Sequence, residues 1–220
     1  MSQKLTYQLI YRFAKTPEQL PWHQTTPPPF IIDHLADIDE PGRVLDIGCG
    51  SGFLSYWFAQ RGWEVVGLDF NAAAVEMAKA KNADMANVTI VHADITQPIL
   101  TEQKFDLLLD VGCLHGLNTV AQLRRYRRNI LFWLKADGQF MLIHAEKRHR
   151  FDWRPIGPRR LPKHRILSLF QQDLNLIDQH SETRVVPLPI GPKLQLGHYC
   201  FKHQKRRSPE LELMTATQIN

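Results

Sequence analysis

The stretch RVLDIGCGSGFLSYWFAQRGWEVVGLD, residues 43–69, decides the fold. Arg43-Val-Leu-Asp-Ile is a short apolar run that reads as a buried strand. Gly48-Cys-Gly-Ser-Gly follows as a tight turn. From Phe53 to Gln60 the apolar residues fall at helical spacing, and Gly62 reads as a helix stop. Glu64-Val-Val-Gly-Leu is a second strand, closed by Asp69. Strand, glycine turn, helix and strand together open a sheet built with crossover helices.

The same alternation continues downstream. Asn71 suits the N-cap of an Ala-rich helix over residues 72–81. Val88 to Val91 reads as a third strand and Phe105 to Val111 as a fourth. Val120, Leu123, Tyr126, Ile130, Leu131 and Leu134 share one helix face, and Gln139-Phe-Met-Leu-Ile is a fifth strand. Past it, residues 161–172 read as a helix, and residues 174–178 and 194–201 as two more strands. Pro187, Pro189 and Pro192 lie between those two strands and point to an antiparallel excursion at the sheet edge. The expected fold is a Rossmann-like, mostly parallel seven-stranded α/β sheet with helices on both faces. Its ligand would lie beyond the carboxyl ends of the strands. Asp46, Asp69, Asp94 and Asp110 all fall at or just past such ends. Residues 1–203 read as one domain, with an N-terminal cap segment over 1–40 and a basic stretch over 145–163 in a lid position. A flexible polar tail is expected over 204–220.

Bulk properties narrow the options. Three cysteines in 220 residues, Cys49, Cys113 and Cys200, form neither a disulfide framework nor a zinc pair, so no metal is expected. The N-terminus lacks the features of a signal peptide. No apolar run is long enough to cross a bilayer, so a cytoplasmic protein without a membrane partner is expected. The formal net charge of +5 suits either nucleic acid or an anionic small molecule.

The turn chemistry selects the ligand. A dinucleotide fingerprint would place its third glycine at Phe53, and no Lys-Ser/Thr pair follows the turn as a phosphate-cradling loop requires. Asp46 at the strand end would repel a pyrophosphate and suits a ligand with an ammonium group. Asp69, one strand over, can accept from both hydroxyls of a ribose.

The stretch VLDIGCGSGFLSYWFAQRGWEVVGLDF resembles motif I and the following acidic motif of class I S-adenosylmethionine (SAM)-dependent methyltransferases. His92-Ala-Asp94 resembles the next motif of that family, whose acid or its neighbour meets the adenine. Leu134-Lys-Ala-Asp-Gly-Gln-Phe-Met-Leu resembles the family's turn into the fifth strand, with Ala136 and Asp137 replacing the usual Pro and Gly. A finer likeness runs to the thiopurine, thiol and tellurite-resistance branch. Thr16-Pro-Glu-Gln-Leu-Pro-Trp22-His resembles its TPWD segment, with extra residues and with His23 in place of Asp. Asp110-Val-Gly-Cys113-Leu-His115 resembles its segment after the fourth strand.

The resemblance implies SAM as cofactor and methyl transfer to the O, N or S atom of a small molecule. It places Trp22, Asp46, Gly48, Cys49, Gly50, Gly52, Asp69, Phe70, Asp94, Ile95 and Asp110 around the cofactor, and makes His115 and Asp110 the candidates for chemistry. Each has a plainer reading as well. Trp22 can be a core aromatic, Asp110 a helix cap, and His115 an orienting group. His144 has a weaker claim, and Cys113 and Cys49 read as small packing residues. The Arg-rich stretch reads as solvated surface or as a lid that selects an anionic acceptor. Two other functions stay open. A nucleic-acid methyltransferase fits the charge but lacks the (N/D)PP(Y/F) segment and any added RNA-binding module, which disfavours nucleic acid as partner. A non-catalytic SAM-binding protein would keep the cofactor half alone. Oligomeric state is not legible.

Overall fold

A computed structural model describes residues 3–36, 38, 40–97, 104–149, 152, 158–185 and 193–204. The expected tail beyond Gln204, the proline-bearing link at 186–192, and residues 150, 151 and 153–157 of the basic stretch lie outside the described residues.

Seven strands form one sheet in the order β3-β2-β1-β4-β5-β7-β6. Strands β1 (Arg43–Ile47), β2 (Glu64–Asp69), β3 (Val88–His92), β4 (Phe105–Val111) and β5 (Leu134–Glu146) run parallel. β7 (Lys193–His203) is antiparallel to both β5 and β6 (Leu174–Val185), which is the expected edge excursion. β6 runs on past Asp178, where the sequence reading ended it, because its polar second half pairs with β7 up to Val185. β5 likewise starts at Leu134 rather than Gln139, with a register irregularity opposite Phe105 and Leu107.

Helices cover both faces. On one, α5 (Val120–Trp133) and α6 (Lys163–Phe170) pack over a core that includes Leu45, Leu108, Tyr126, Trp133, Leu142 and Phe170. Phe140, Phe170 and Phe201 meet with ring centroids 5.2–5.8 Å apart and fix α6 across β5 and β7. Such aromatic pairs add about 0.5–1.5 kcal/mol each beyond area burial. On the other face, α2 (Pro29–Leu35) and α3 (Phe53–Ala59) pack over Val44, Val65, Leu109, Met141 and Ile143. The alternation of these sets along each strand is the period-2 pattern of a sheet buried on both sides.

Local chemistry fixes the elements that position the site. Asn71 caps α4 (Ala72–Lys81), its Oδ1 accepting from the Ala73 amide at 3.0 Å. Thr119 and Gln122 form a reciprocal capping box at the start of α5. The N-terminal segment folds as a helix, α1 (Gln3–Phe13), which lies against α4 through Tyr11, Ala14, Leu20 and Ala74.

Candidate active site

β1 and β2 end side by side, and the glycine turn leans back onto β2. The amides of Gly48 and Cys49 both donate to the Leu68 carbonyl, at 2.8 and 3.0 Å. Gly48, Gly50 and Gly52 all have positive φ, between 55° and 78°, a region that strains any residue with a Cβ. A Cβ on Gly48 would also fall 2.8 Å from Cys113 Cβ. The turn is thus shaped by conformation and by close approach at once.

Two carboxylates face this turn. Asp69 accepts from the Gly50 amide at 3.1 Å through Oδ2 and from the Asn71 amide at 2.8 Å through Oδ1. Asp46 accepts from Ser55 Oγ at 2.7 Å. Both are buried, and neither forms an ion pair among the described residues. Burial pushes Asp46 up to about 6, with the Asp69 charge adding to the rise, and burial raises Asp69 as well. Two acids held away from water without a counter-ion are poised for a cationic ligand. A sulfonium and an ammonium on one molecule meet that need, so these residues fit SAM.

The adenine end of such a ligand would lie one strand further out. In register, Asp69 pairs with His92, and Asp94 follows just past the end of β3. Asp94 Oδ1 accepts from the amide and hydroxyl of Thr96, at 2.9 and 2.7 Å. Its Oδ2 holds Lys4 Nζ at 2.5 Å. Burial works against that charge, yet Lys4 and Thr96 outweigh it and hold the carboxyl below its ordinary range. Phe70 lies beside it, with Lys4 Nζ 5.3 Å from the ring centroid. Ile95 departs from expectation. Its side chain belongs to the core on the α5 face, and its carbonyl accepts from Asn129 Nδ2 at 2.7 Å.

Cys49 is buried in the turn, with its Cβ over Gly67. Trp22 is not a core aromatic. It is partly exposed and packs on α1, 5.4 Å from Tyr7 and 5.6 Å from Tyr11 between ring centroids. Tyr7 lies close enough to Cys113, Asp110 and Asp69 to feel their charge. Burial, with those charges, pushes its hydroxyl up to about 12. Sequence reading missed Lys4, Tyr7 and Tyr11. Their signal was present, since Tyr7, Ile10, Tyr11 and Ala14 recur at helical i, i+3, i+4, i+7 spacing.

The residues expected to carry chemistry need correction. Asp110 is fully buried and saturated with donors. It accepts from the Cys113 and Leu114 amides at 2.7 and 3.1 Å, and from Tyr126 Oη at 2.5 Å. Burial pushes it up to about 7 against those hydrogen bonds. These bonds hold the start of the 3₁₀ turn Leu114–Gly116, which carries His115. His115 is buried over Gly112, whose φ of 93° and missing Cβ admit the ring. Its Nε2 accepts from the Ala145 amide at 2.6 Å. Burial lowers its pKa to about 4, so the ring is neutral and its proton sits on Nδ1. The lone pair that a general base would use is therefore committed to the backbone.

His144, the weaker candidate from sequence, is the less satisfied of the two. It packs against His115, tilted by 53° with ring centroids 4.4 Å apart, and is fully buried. Neither of its ring nitrogens has a hydrogen-bond partner among the described residues. Burial, with His115 and Arg159 adding to it, keeps the ring neutral. The described residues of the basic stretch make internal contacts. Asp152 is buried, accepting from Arg160 Nη1 at 2.8 Å and from the Arg148 amide at 3.2 Å. Leu161 pairs beside Glu146, closing the base of the loop. Arg160 is thereby taken into an internal pair. Arg159 donates to the Leu117 carbonyl and lies within electrostatic reach of His144. Among the described residues no group of three or more His, Cys, Asp or Glu side chains is placed to hold a metal ion.

Comparison with known proteins agrees with this geometry. The family described as "Methyltransferase domain" matches residues 44–138. A 2-heptyl-1-hydroxyquinolin-4(1H)-one methyltransferase of Mycobacteroides abscessus is 32% identical over 117 residues, covering 50% of this chain and 51% of that protein. A ribosomal RNA small subunit methyltransferase C of Alcanivorax borkumensis is 49% identical over 122 residues, covering 53% of this chain and 36% of that one. The chain spans about half the length, or less, of these curated relatives. The crystal structure of TehB from Haemophilus influenzae superposes with a TM-score of 0.71 at 15% identity, covering 83% of this chain and 64% of that one. That likeness is one of fold. The chain thus carries a methyltransferase domain of the class I, SAM-dependent type. No helix among the described residues is long and apolar enough to cross a membrane.

Proposed function

We propose that this protein transfers the methyl group of SAM to a nucleophilic O, N or S atom of a small molecule. The observation that carries the reading is the pair of buried acids, Asp46 and Asp69, set around a positive-φ glycine turn with no counter-ion among the described residues. Bound there, SAM would supply an electrophilic methyl carbon on a positive sulfur that leaves as a neutral thioether. Asp46 and the glycine turn would hold its amino-acid end, and Asp69 its ribose hydroxyls. Phe70, Asp94 and the backbone at Ile95 would hold its adenine.

The protein's main task is in-line positioning, which can supply roughly 7–11 kcal/mol. The acceptor would enter beyond Cys113, against His115, His144 and Arg159. His115, with its proton on Nδ1, orients; His144 offers a ring nitrogen to the acceptor. Arg159 makes an anionic acceptor the favoured class, since a guanidinium matches a carboxylate in planar geometry.

A panel of thiols, phenols, carboxylic acids and amines, read by SAM consumption and product mass, tests this. The expected result is one product about 14 mass units heavier than the acceptor, a CH₃ having replaced a hydrogen whose proton passes to a base or to water, with Arg159→Gln raising the acceptor KM and leaving SAM affinity unchanged. Methylation of bulk RNA with no small-molecule product would overturn it.

A further inference from the structure

The Lys4–Asp94 pair lies where the cofactor should go. Asp94 Oδ1 accepts from Thr96 and Oδ2 from Lys4, so each oxygen that could receive an adenine amino group already has a donor. The same ammonium hangs over the Phe70 ring, the apolar surface next to that carboxylate. Two turns along α1, the Tyr11 hydroxyl lies 2.8 Å from where a Cβ on Gly50 would stand, over the glycine turn. Tyr7, between them, reaches toward Asp69, Asp110 and Cys113. One face of α1 therefore runs across the strand ends from β3 to β1, along the course the cofactor would take.

α1 is held there at the edge of the fold. Its apolar contact is the small cluster with α4 that includes Tyr11, Ala14, Leu20 and Ala74. Its polar ties include the Asn71 Nδ2 bond to the Tyr7 carbonyl at 3.4 Å, the Trp22 Nε1 bond to Tyr11 Oη at 3.4 Å, and the Lys4 pair. Leu5 and Phe13 face solvent. A segment held this way opens at low cost compared with the sheet core.

We propose that α1 is an autoinhibitory strap and that Lys4 is its latch, competing with the adenine of SAM for Asp94. This rests on the cofactor reading given above. Entry of SAM requires the Lys4 ammonium to leave Oδ2 and α1 to lift from the glycine turn. Lys4 then weakens SAM binding and slows its entry. Its side chain and that of Asp94 are 39% and 26% exposed, so the pair is a partly exposed one. Such pairs are worth roughly 0.2–1 kcal/mol, which is about a 1.4- to 5-fold effect on affinity.

The test compares the parent protein with Lys4→Gln and with Lys4→Arg, which keeps the charge. Calorimetry and stopped-flow mixing with SAM read affinity and entry rate, and hydrogen exchange reads the amides of residues 3–13 without ligand. Lys4→Gln should bind SAM about 1.4- to 5-fold more tightly and enter faster, and its α1 amides should exchange faster. Lys4→Arg should match the parent. The difference between parent and Lys4→Gln should shrink as salt is added. Equal SAM affinity in parent and Lys4→Gln would overturn the proposal. So would weaker binding by Lys4→Gln, which would make Lys4 a clasp over bound cofactor. No SAM binding by the parent or either variant would instead remove the methyltransferase reading itself.

Discussion

Asp46→Asn should separate stability from function. Burial raises this carboxyl from 3.8 to about 6. The folded protein therefore keeps a proton through a pH range where the unfolded chain has lost it. Stability then falls as pH rises from about 4 to about 6 and stays lost above that. A shift of about 2 units at 1.36 kcal/mol each gives a penalty of ~3 kcal/mol at pH 8. Asparagine removes the titration while its Oδ1 still accepts from Ser55. Burying its amide group carries a cost of its own, but that cost does not vary with pH. The stability of Asp46→Asn relative to the parent should thus rise by up to ~3 kcal/mol between pH 4 and pH 8. Its SAM affinity should lie below the parent's at pH 8, where the parent carries a charge the cation needs, and the gap should close towards pH 5. In the parent, SAM affinity should drop about 10-fold at pH 5, where a group with pKa about 6 is mostly protonated. Denaturant unfolding across pH, with calorimetry on the same samples, reads both. A variant whose relative stability is flat with pH, and whose SAM affinity equals the parent's, would refute the placement of an uncompensated charge at the cofactor site.

Other outcomes follow from the same geometry. Asp69→Ala should weaken SAM binding by about 1.5–3 kcal/mol, the worth of hydrogen bonds to a charged group, as read by calorimetry. Tyr126→Phe should lower unfolding free energy by about 1.5–3 kcal/mol, since it strips a donor from the buried Asp110. SAM affinity should change little, and a variant as stable as the parent would show that Asp110 does not depend on this bond. Arg160→Gln should destabilise the protein by leaving Asp152 buried with one partner fewer, whereas Arg159→Gln should act on the acceptor KM. Equal melting temperatures for the two would contradict that division.

The parallel half of the fold was legible because its strands are short apolar runs ended by acids and glycines, a pattern set by local chemistry. Arg43 to Asp69 alone carries strand, turn, helix and strand at the observed positions. The edge was harder. The second half of β6, from Gln179 to Arg184, is polar and takes its strand form from pairing with β7, which no local pattern announces. The positions of the proposed cofactor residues were also readable, since Asp46, the glycines, Asp69 and Asp94 sit where strands stop. The acceptor side was not. Whether Asp110 faces substrate or caps a turn depends on Tyr126, sixteen residues away. Which imidazole is satisfied depends on the Ala145 amide, thirty residues from His115. Those are tertiary facts. Asp152 is the one acid between Lys147 and Arg165 in the sequence, and only its tertiary contacts reveal it as the centre on which Arg148 and Arg160 converge.

The central claim is that the glycine turn and the two acids beside it form a site for a cationic nucleoside. Titration calorimetry of one protein sample with SAM, S-adenosylhomocysteine and NAD tests it most directly. SAM and S-adenosylhomocysteine should bind in the micromolar range, and NAD, whose pyrophosphate would face Asp46, should not bind. Tight binding of NAD without binding of SAM would contradict the account.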